Sequence, residues 1–381
     1  MPGPARAGRL DIADIVRAHR GALESIHCLT REQKRVLTDI AQCRTAVLGG
    51  HVDRCARCGH EHPAYNSCRN RHCPKCQALA QEQWIEARRA RMLDTGHFHV
   101  VFTLPAELRP LAAFAPRVVY DALFAAAQRT LLEFGRRRLH ATLGATLVLH
   151  TWTRDLRFHP HIHAIVTAGG WSTQRARWCP THRRFLFPVT AVARVFRAKM
   201  LQQLNDAHRA HDFDRFDDFV DPEGFSRLMQ RAARPAWNVY AKAPFAKAGH
   251  VLAYLGRYTH RVGIANSRLL AVREHAVTFR TKNGRTETLS PVAFLRRFVR
   301  HVLPDGLHKI RHVGLYASAS AKTRKRAATH LGRPARRSPR LDWRARLAAL
   351  TGRDLGICPH CGGPLSSVAV PRSRDPPRVA A

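Results

Sequence analysis

Acidic residues are scarce in this chain. Only 27 Asp and Glu stand against 64 Lys and Arg over 381 residues, a formal charge of +37. A surplus of that size argues against an acidic-surface function and favours a polyanion as partner, because each cation placed on a phosphate releases condensed counterions. Nucleic acid is therefore the expected partner. Lysine is also rare, with nine residues; arginine carries the charge, and its planar fork suits bidentate phosphate contacts. A codon bias toward arginine explains much of that ratio but not the net charge. Long apolar runs are missing as well: the longest uncharged apolar run, 141–153, is too short to span a bilayer and contains His150. The opening Met-Pro-Gly-Pro-Ala-Arg lacks the apolar core of a signal peptide, so the expectation is a cytoplasmic protein with no membrane partner. There is no Gly-Lys dipeptide from which to build a P-loop, and no nucleotide cofactor is expected.

Cysteine, in contrast, is plentiful: ten residues, six of them in three Cys-x-x-Cys pairs. In a reducing compartment these read as metal-bound thiolates rather than disulfides. Cys55-Ala-Arg-Cys58 and Cys73-Pro-Lys-Cys76, fourteen residues apart, have the spacing of a four-thiolate structural zinc site, each turn aiming two sulfurs at one point. His60, His62, Cys68 and His72 lie between them, and any of these could replace a cysteine or support a second ion. Arg69, Asn70, Arg71 and Lys75 make the segment basic, which fits a DNA contact as well as a purely structural staple. Cys358-Pro-His-Cys361 is half of a knuckle, either a fragment or one whose partners lie elsewhere in the chain.

The stretch Phe158-His-Pro-His-Ile-His-Ala-Ile-Val166 bears on chemistry most directly. In a strand, His161 and His163 point to one face while Ile162, Ala164 and Val166 point to the other. Two adjacent imidazoles backed by an apolar face can hold one metal ion with coordination positions open. The alternative is a His-rich loop in a chain with 24 histidines. Residues 145–152 read as the preceding strand, and a turn around Arg154-Asp155 makes the two an antiparallel hairpin. Before them come a strand at 98–104, ended by Pro105, and a long helix at 116–139. Two helices are expected near the N-terminus, the second starting after Thr30 with Gln33 as a capping box, and another at 78–92.

Further on, 251–261 reads as a helix with Tyr254 and Tyr258 one turn apart and Arg257 and Arg261 beside them. Tyrosines at that spacing are core or interface residues unless a metal and arginines activate their phenols. A hairpin at 268–281, with a turn at Asn283-Gly284 leading to a third strand, precedes a helix at 294–302 and a strand at 310–317. Residues 212–221 hold five carboxylates, either nuclease ligands or a solvated face alternating with buried Phe213, Phe216 and Phe219. Residues 322–340 are dominated by Arg and Lys and read as a flexible contact to DNA backbone.

The knuckle ending in Ser67-Cys-Arg-Asn-Arg-His-Cys-Pro-Lys-Cys-Gln77, then Phe98-His-Val-Val-Phe-Thr-Leu-Pro105, the His-x-His strand, and the two-tyrosine helix running into Arg261-Val-Gly-Ile-Ala-Asn-Ser-Arg-Leu269 together resemble the insertion-sequence-ninety-one family. These are bacterial two-tyrosine HUH rolling-circle transposases. The resemblance covers roughly residues 20–320 in order and is poorest in the C-terminal part. It implies an α+β fold, an HUH endonuclease-like antiparallel sheet flanked by helices and preceded by a small zinc-binding helical module. The domains would run 1–92, 93–320 and 321–381, the last a basic tail. It implies cutting and rejoining of single-stranded DNA without ATP, with Tyr254 and Tyr258 as nucleophiles. His161 and His163 would hold Mg or Mn, and Cys55, Cys58, Cys73 and Cys76 would hold zinc. No motif fixes a third ligand for the catalytic metal, although His99 on the preceding strand is a candidate. A non-catalytic zinc-dependent DNA-binding protein and a carboxylate-type metal nuclease are the alternatives.

Overall fold

The computed structural model describes residues 10–182, 186–213, 221–245, 263–332, 342–352 and 354–370. In chain order these form α1 (Ile12–Ile26), α2 (Arg31–Gln42), β1 (Gly50–Cys55), β2 (Glu61–Tyr65), α3 (Gln77–Arg89), β3 (His97–Thr103), α4 (Arg109–Phe114), α5 (Pro116–Leu139), β4 (Thr142–Trp152) and β5 (Phe158–Ser172). There follow β6 (Arg177–Pro180), α6 (Val189–Arg209), α7 (Pro222–Ala233), β7 (Val239–Phe245), β8 (Leu269–Arg273), β9 (Ala276–Arg280), β10 (Thr286–Leu289), α8 (Pro291–Val299), β11 (Ile310–Gly314), α9 (Ala321–His330), α10 (Trp343–Thr351) and β12 (Leu365–Val370). The elements group into two compact units. One comprises residues 1–83, 260–302 and 339–381, the other residues 84–259 and 303–338.

The first unit is held by local signals. Asp11 caps α1 by accepting from the Ala13 amide, and it also takes Lys75 Nζ at 2.7 Å and Asn266 Nδ2 at 2.9 Å. Thr30 and Gln33 form the expected reciprocal box at the start of α2. The apolar faces of the two helices, Ile12, Ile15, Val16 and Leu23 against Val36, Leu37 and Ile40, are fully buried or nearly so. The α1 helix also packs on α8. That last helix begins a turn earlier than its apolar pattern suggested, because Ser290 caps it and Pro291 occupies its first position. Two small sheets complete the unit, β12-β1-β2 and β10-β9-β8.

The second unit is built on an antiparallel sheet of order β11-β4-β5-β3-β7, with β6 added to β5. Alternation decides its two faces. Phe98, Val100, Phe102, Leu147, Leu149, Ile162, Ala164 and Val166 enter one core with Leu123, Ala127 and Leu131 of α5 and Phe196, Met200 and Leu204 of α6. Each large side chain buried there contributes about 1.5–3 kcal/mol. The architecture is thus α+β, as expected. Strand β11 stops at Gly314, earlier than 317, because the backbone there turns to φ +60°, out of the extended region; only glycine fits, since a Cβ would collide with the carbonyl of Leu143.

The expectation of a flexible basic tail from 321 is corrected over two stretches. Residues 321–330 are the helix α9, whose Ala327 and Ala328 are buried with Leu315 and Tyr316. Two alanines on a short helix leave almost no hydrophobic periodicity, so basic composition masked the element. Residues 365–370 form a strand paired to β1, far from the tail's beginning.

Candidate functional site

On the face of the sheet opposite its core, β5 presents His161 and His163, as the alternation predicted. Strand β4 adds a third imidazole: His150 lies directly opposite His161 in the ladder. Donor nitrogens of the three lie within 4.8 Å of one another. The Nε2 atoms of His161 and His163 are 3.1 Å apart. The outer nitrogens of this pair are engaged elsewhere. His161 Nδ1 donates to the His159 carbonyl at 2.6 Å, and His163 Nδ1 lies 2.8 Å from His99 Nε2 on β3. A ring whose Nδ1 carries the proton offers its Nε2 lone pair, so His161 aims a lone pair inward, and His163 does the same in the tautomer whose Nδ1 donates to His99. Burial, reinforced by neighbouring histidines, keeps these rings neutral: His161 is pushed down to about 4 and His163 well below its ordinary value, while His99 falls to about 4 through burial and Lys242.

Neutral imidazoles with further positions open fit a divalent transition ion. Magnesium prefers oxygen, so of the two ions implied above manganese is the better match to this donor set. His99, offered above as a third ligand, instead sits behind His163, where it orients the ring. His150 appeared in the sequence only as the interruption of an apolar run. Counting outward from the turn at 154–155 would pair it with His159; the register irregularity between His150 and Trp152 sets it opposite His161 instead, so the sequence carried no signal for it.

The cysteines form two clusters, which corrects the expected quartet. Cys73 and Cys76 group with Cys43 and Cys68, with Cys43 and Cys68 sulfurs 3.4 and 3.6 Å from that of Cys76. Cys55 and Cys58 group instead with Cys358 and Cys361, at 3.4 Å for Cys55–Cys361 and 3.8 Å for Cys58–Cys358. The two nearest Cys-x-x-Cys turns do not share an ion site because β1 and β2 carry Cys55 and Cys58 into the sheet with β12, while Cys43 arrives at the end of α2. His60, His62 and His72 belong to neither cluster. His60 faces the ring of His360, His62 is exposed, and His72 Nδ1 contacts Asn70 Oδ1.

Tyr254 and Tyr258 lie outside the described residues, as do Asp214–Val220 of the acidic stretch. Of the other tyrosines, Tyr120 and Tyr316 are enclosed, and burial pushes both phenols up. Tyr240 is half exposed on β7, opposite Val101, which is itself opposite His163, so it shares the histidine face. Of the tryptophans on β4 and β5, Trp171 is buried with Leu315 and Tyr316, whereas Trp152 stacks on His150 at 4.7 Å.

An antiparallel sheet with convergent imidazoles on one face, in a chain with two clusters of four cysteines, defines an α+β protein that carries metal-ligand donor sets. Comparison with known proteins gives its lineage. Residues 15–104 match the "Transposase zinc-binding domain" family and residues 144–325 the family described as "Putative transposase". The chain is 41% identical to "Putative transposase y4qJ" of Sinorhizobium fredii, covering 94% of each. It is 31% identical to "Transposase for insertion sequence element IS801" of Pseudomonas savastanoi pv. phaseolicola, over 74% of this chain and 70% of that one. No solved structure matches it. The chain belongs to the insertion-sequence-ninety-one family of transposases. Its zinc-binding domain and thiolate clusters support structural zinc, and no described helix is long and apolar enough to cross a membrane.

Proposed function

We propose that this transposase cuts and rejoins single-stranded DNA through 5′-phosphotyrosine intermediates, as in rolling-circle transposition. The observation that carries the reading is the set of three imidazoles, His150, His161 and His163, whose donor nitrogens lie within 4.8 Å of one another on one face of the sheet. A divalent cation held there would polarise a non-bridging phosphate oxygen and offset the charge that builds at phosphorus. Tyr254 and Tyr258 are the proposed nucleophiles. One phenol attacks phosphorus as its oxyanion, the P–O3′ bond breaks, and the departing O3′ takes up a proton; DNA is left with a free 3′-hydroxyl and a 5′-phosphotyrosine. Rejoining reverses the step, so the phosphodiester energy is retained and no nucleotide is consumed. The second tyrosine allows another strand to be cut while the first stays attached. A cytoplasmic site of action follows from that substrate.

The test is an end-labelled single-stranded oligonucleotide incubated with the protein and manganese and resolved on a denaturing gel. Protein-linked label is expected from the native chain. It should vanish in the Tyr254→Phe/Tyr258→Phe double variant and in His161→Ala/His163→Ala, while each single tyrosine variant keeps nicking but loses strand transfer. Adducts that persist in the double tyrosine variant would remove those residues from the reaction.

A further inference from the structure

The Cys55/Cys58/Cys358/Cys361 cluster draws its halves from turns some three hundred residues apart, and the two turns are built alike. Each is Cys-x-x-Cys-Gly, with the glycine in the left-handed region, Gly59 at φ +68° and Gly362 at φ +70°. Each closes on its first cysteine, the Gly59 amide donating to the Cys55 carbonyl and the Gly362 amide to that of Cys358, both at 3.0 Å. Amides of Arg57 and Cys58 point at the Cys55 sulfur from 3.4 and 3.5 Å, as donors to a thiolate. Gly363 is required by the approach: a Cβ there would meet Arg57 Cβ at 2.9 Å and the sulfurs of Cys55 and Cys361 at 3.2 and 3.3 Å. Two thiolates on a common zinc are separated by about 3.8 Å when the Zn–S bonds are tetrahedral. The observed 3.4 and 3.8 Å fit that edge and are far from a disulfide bond.

We propose that Cys55, Cys58, Cys358 and Cys361 bind a zinc ion of their own, separate from that of Cys43, Cys68, Cys73 and Cys76. The second ion fastens the C-terminal segment into the N-terminal module. It sits at the end of the β1–β12 ladder, where Cys55 pairs with Leu365, so it locks that register. The matched zinc-binding region ends at residue 104 and does not contain this half of the site.

Metal analysis of the full chain should find one zinc equivalent lost in Cys358→Ser/Cys361→Ser, a different one lost in Cys73→Ser/Cys76→Ser, and both lost when the pairs are combined. An unchanged zinc content in Cys358→Ser/Cys361→Ser would overturn the proposal, as would loss of both ions. The native chain gives a second readout that does not depend on a variant folding. Cys28 and Cys58 are both exposed. On brief alkylation and peptide mapping, Cys28 should label at once and Cys58, Cys358 and Cys361 only after a chelator is added. Equal labelling of Cys58 and Cys28, or an intact mass lower by two hydrogens for a disulfide, would refute a bound ion.

A second site lies on the histidine face of the large sheet. Arg88, Arg91, Thr146, Ile165 and His312 line a pocket that no carboxylate of the described residues enters. Arg88 Nη1 touches His312 Nε2 at 2.6 Å, and Arg88 Nε is buried without a hydrogen-bond partner. Burial, then Arg91 and Arg324, depress the Arg88 guanidinium. Cations gathered without a counter-charge repel one another unless an anion joins them. His312, Thr146 and Ile165 are successive cross-strand neighbours, with Ile165 two residues from His163. By strand geometry the pocket's lining lies from about 7 Å (Ile165) to about 12 Å (His312) from His163. The geometry points to a seat for a backbone phosphate of the same DNA strand, an inference that rests on the single-strand reading above.

Arg91, exposed at the rim, is the residue to change. Anisotropy of labelled oligothymidylate, with no manganese added so that the imidazole site stays idle, should show weaker binding by Arg91→Ala. Its plot of log affinity against log salt should be shallower by about 0.7 for the lost phosphate contact. An unchanged slope, or binding of inorganic phosphate with no effect on DNA, overturns the pocket. Because this readout needs no cleavage, a reduced slope in a protein that never forms adducts would keep the pocket and reject the tyrosine chemistry.

Discussion

At the scale of single residues, the histidines divide by what holds them. His99 touches His163 rather than the point where the nitrogens meet, so it acts as a positioning residue. Removing such a partner costs 10–100-fold in metal affinity in other sites. His99→Ala should therefore weaken manganese binding by roughly that factor in calorimetry, with zinc content unchanged, and His150→Ala should weaken it at least as much. His97 reports something different. It is fully buried, its Nε2 bonded to the Tyr316 hydroxyl at 2.7 Å, and burial pushes it down to about 4. The unfolded chain binds a proton there at about 6.5 and the folded one only near 4. Its stabilising effect is thus intact above pH 6.5 and is lost as pH falls through that window. The sum is on the order of 3 kcal/mol. Denaturant titrations of the protein between pH 7 and 4 should show a shallower decline in His97→Asn than in the native chain.

At the scale of elements, β5 has two sides with separate jobs. Ile162 is fully buried in the core between the sheet and α5 and α6. Ile162→Ala should cost about 2–5 kcal/mol in denaturant unfolding, while leaving manganese affinity per folded molecule intact. Its neighbours His161 and His163 should show the converse. Thr30 tests a local signal. Its hydroxyl accepts from the Gln33 amide at 3.3 Å and Gln33 Oε1 accepts from the Thr30 amide at 3.0 Å. Thr30→Ala should therefore lower stability by about 1 kcal/mol. Elements marked by caps and long apolar periods were legible from the sequence, among them α2, α5 and the β4–β5 hairpin. The helix α9 was not, because two alanines among Lys and Arg make too faint a stripe.

At the scale of the whole molecule, the +37 charge sets the response to salt. Affinity for single-stranded DNA should fall linearly in log–log terms with salt concentration, with a slope of about 0.7 per phosphate neutralised. A flat response in an anisotropy titration would deny the charge its role in binding. Metal identity and chain topology also meet at this scale, since the thiolate cluster at the β1–β12 ladder joins residues 55–58 to 358–361.

The sequence alone determined what depends on local geometry. A two-residue period puts His161 and His163 on one side of a strand, a capping residue starts a helix, and a Cys-x-x-Cys turn points two sulfurs the same way. Which turns share an ion, and which imidazole joins the pair, was decided only in three dimensions. Those pairings depend on strand register and on closing loops of up to some three hundred residues, and chain spacing favours the nearest partner where the folded sheet supplies a distant one.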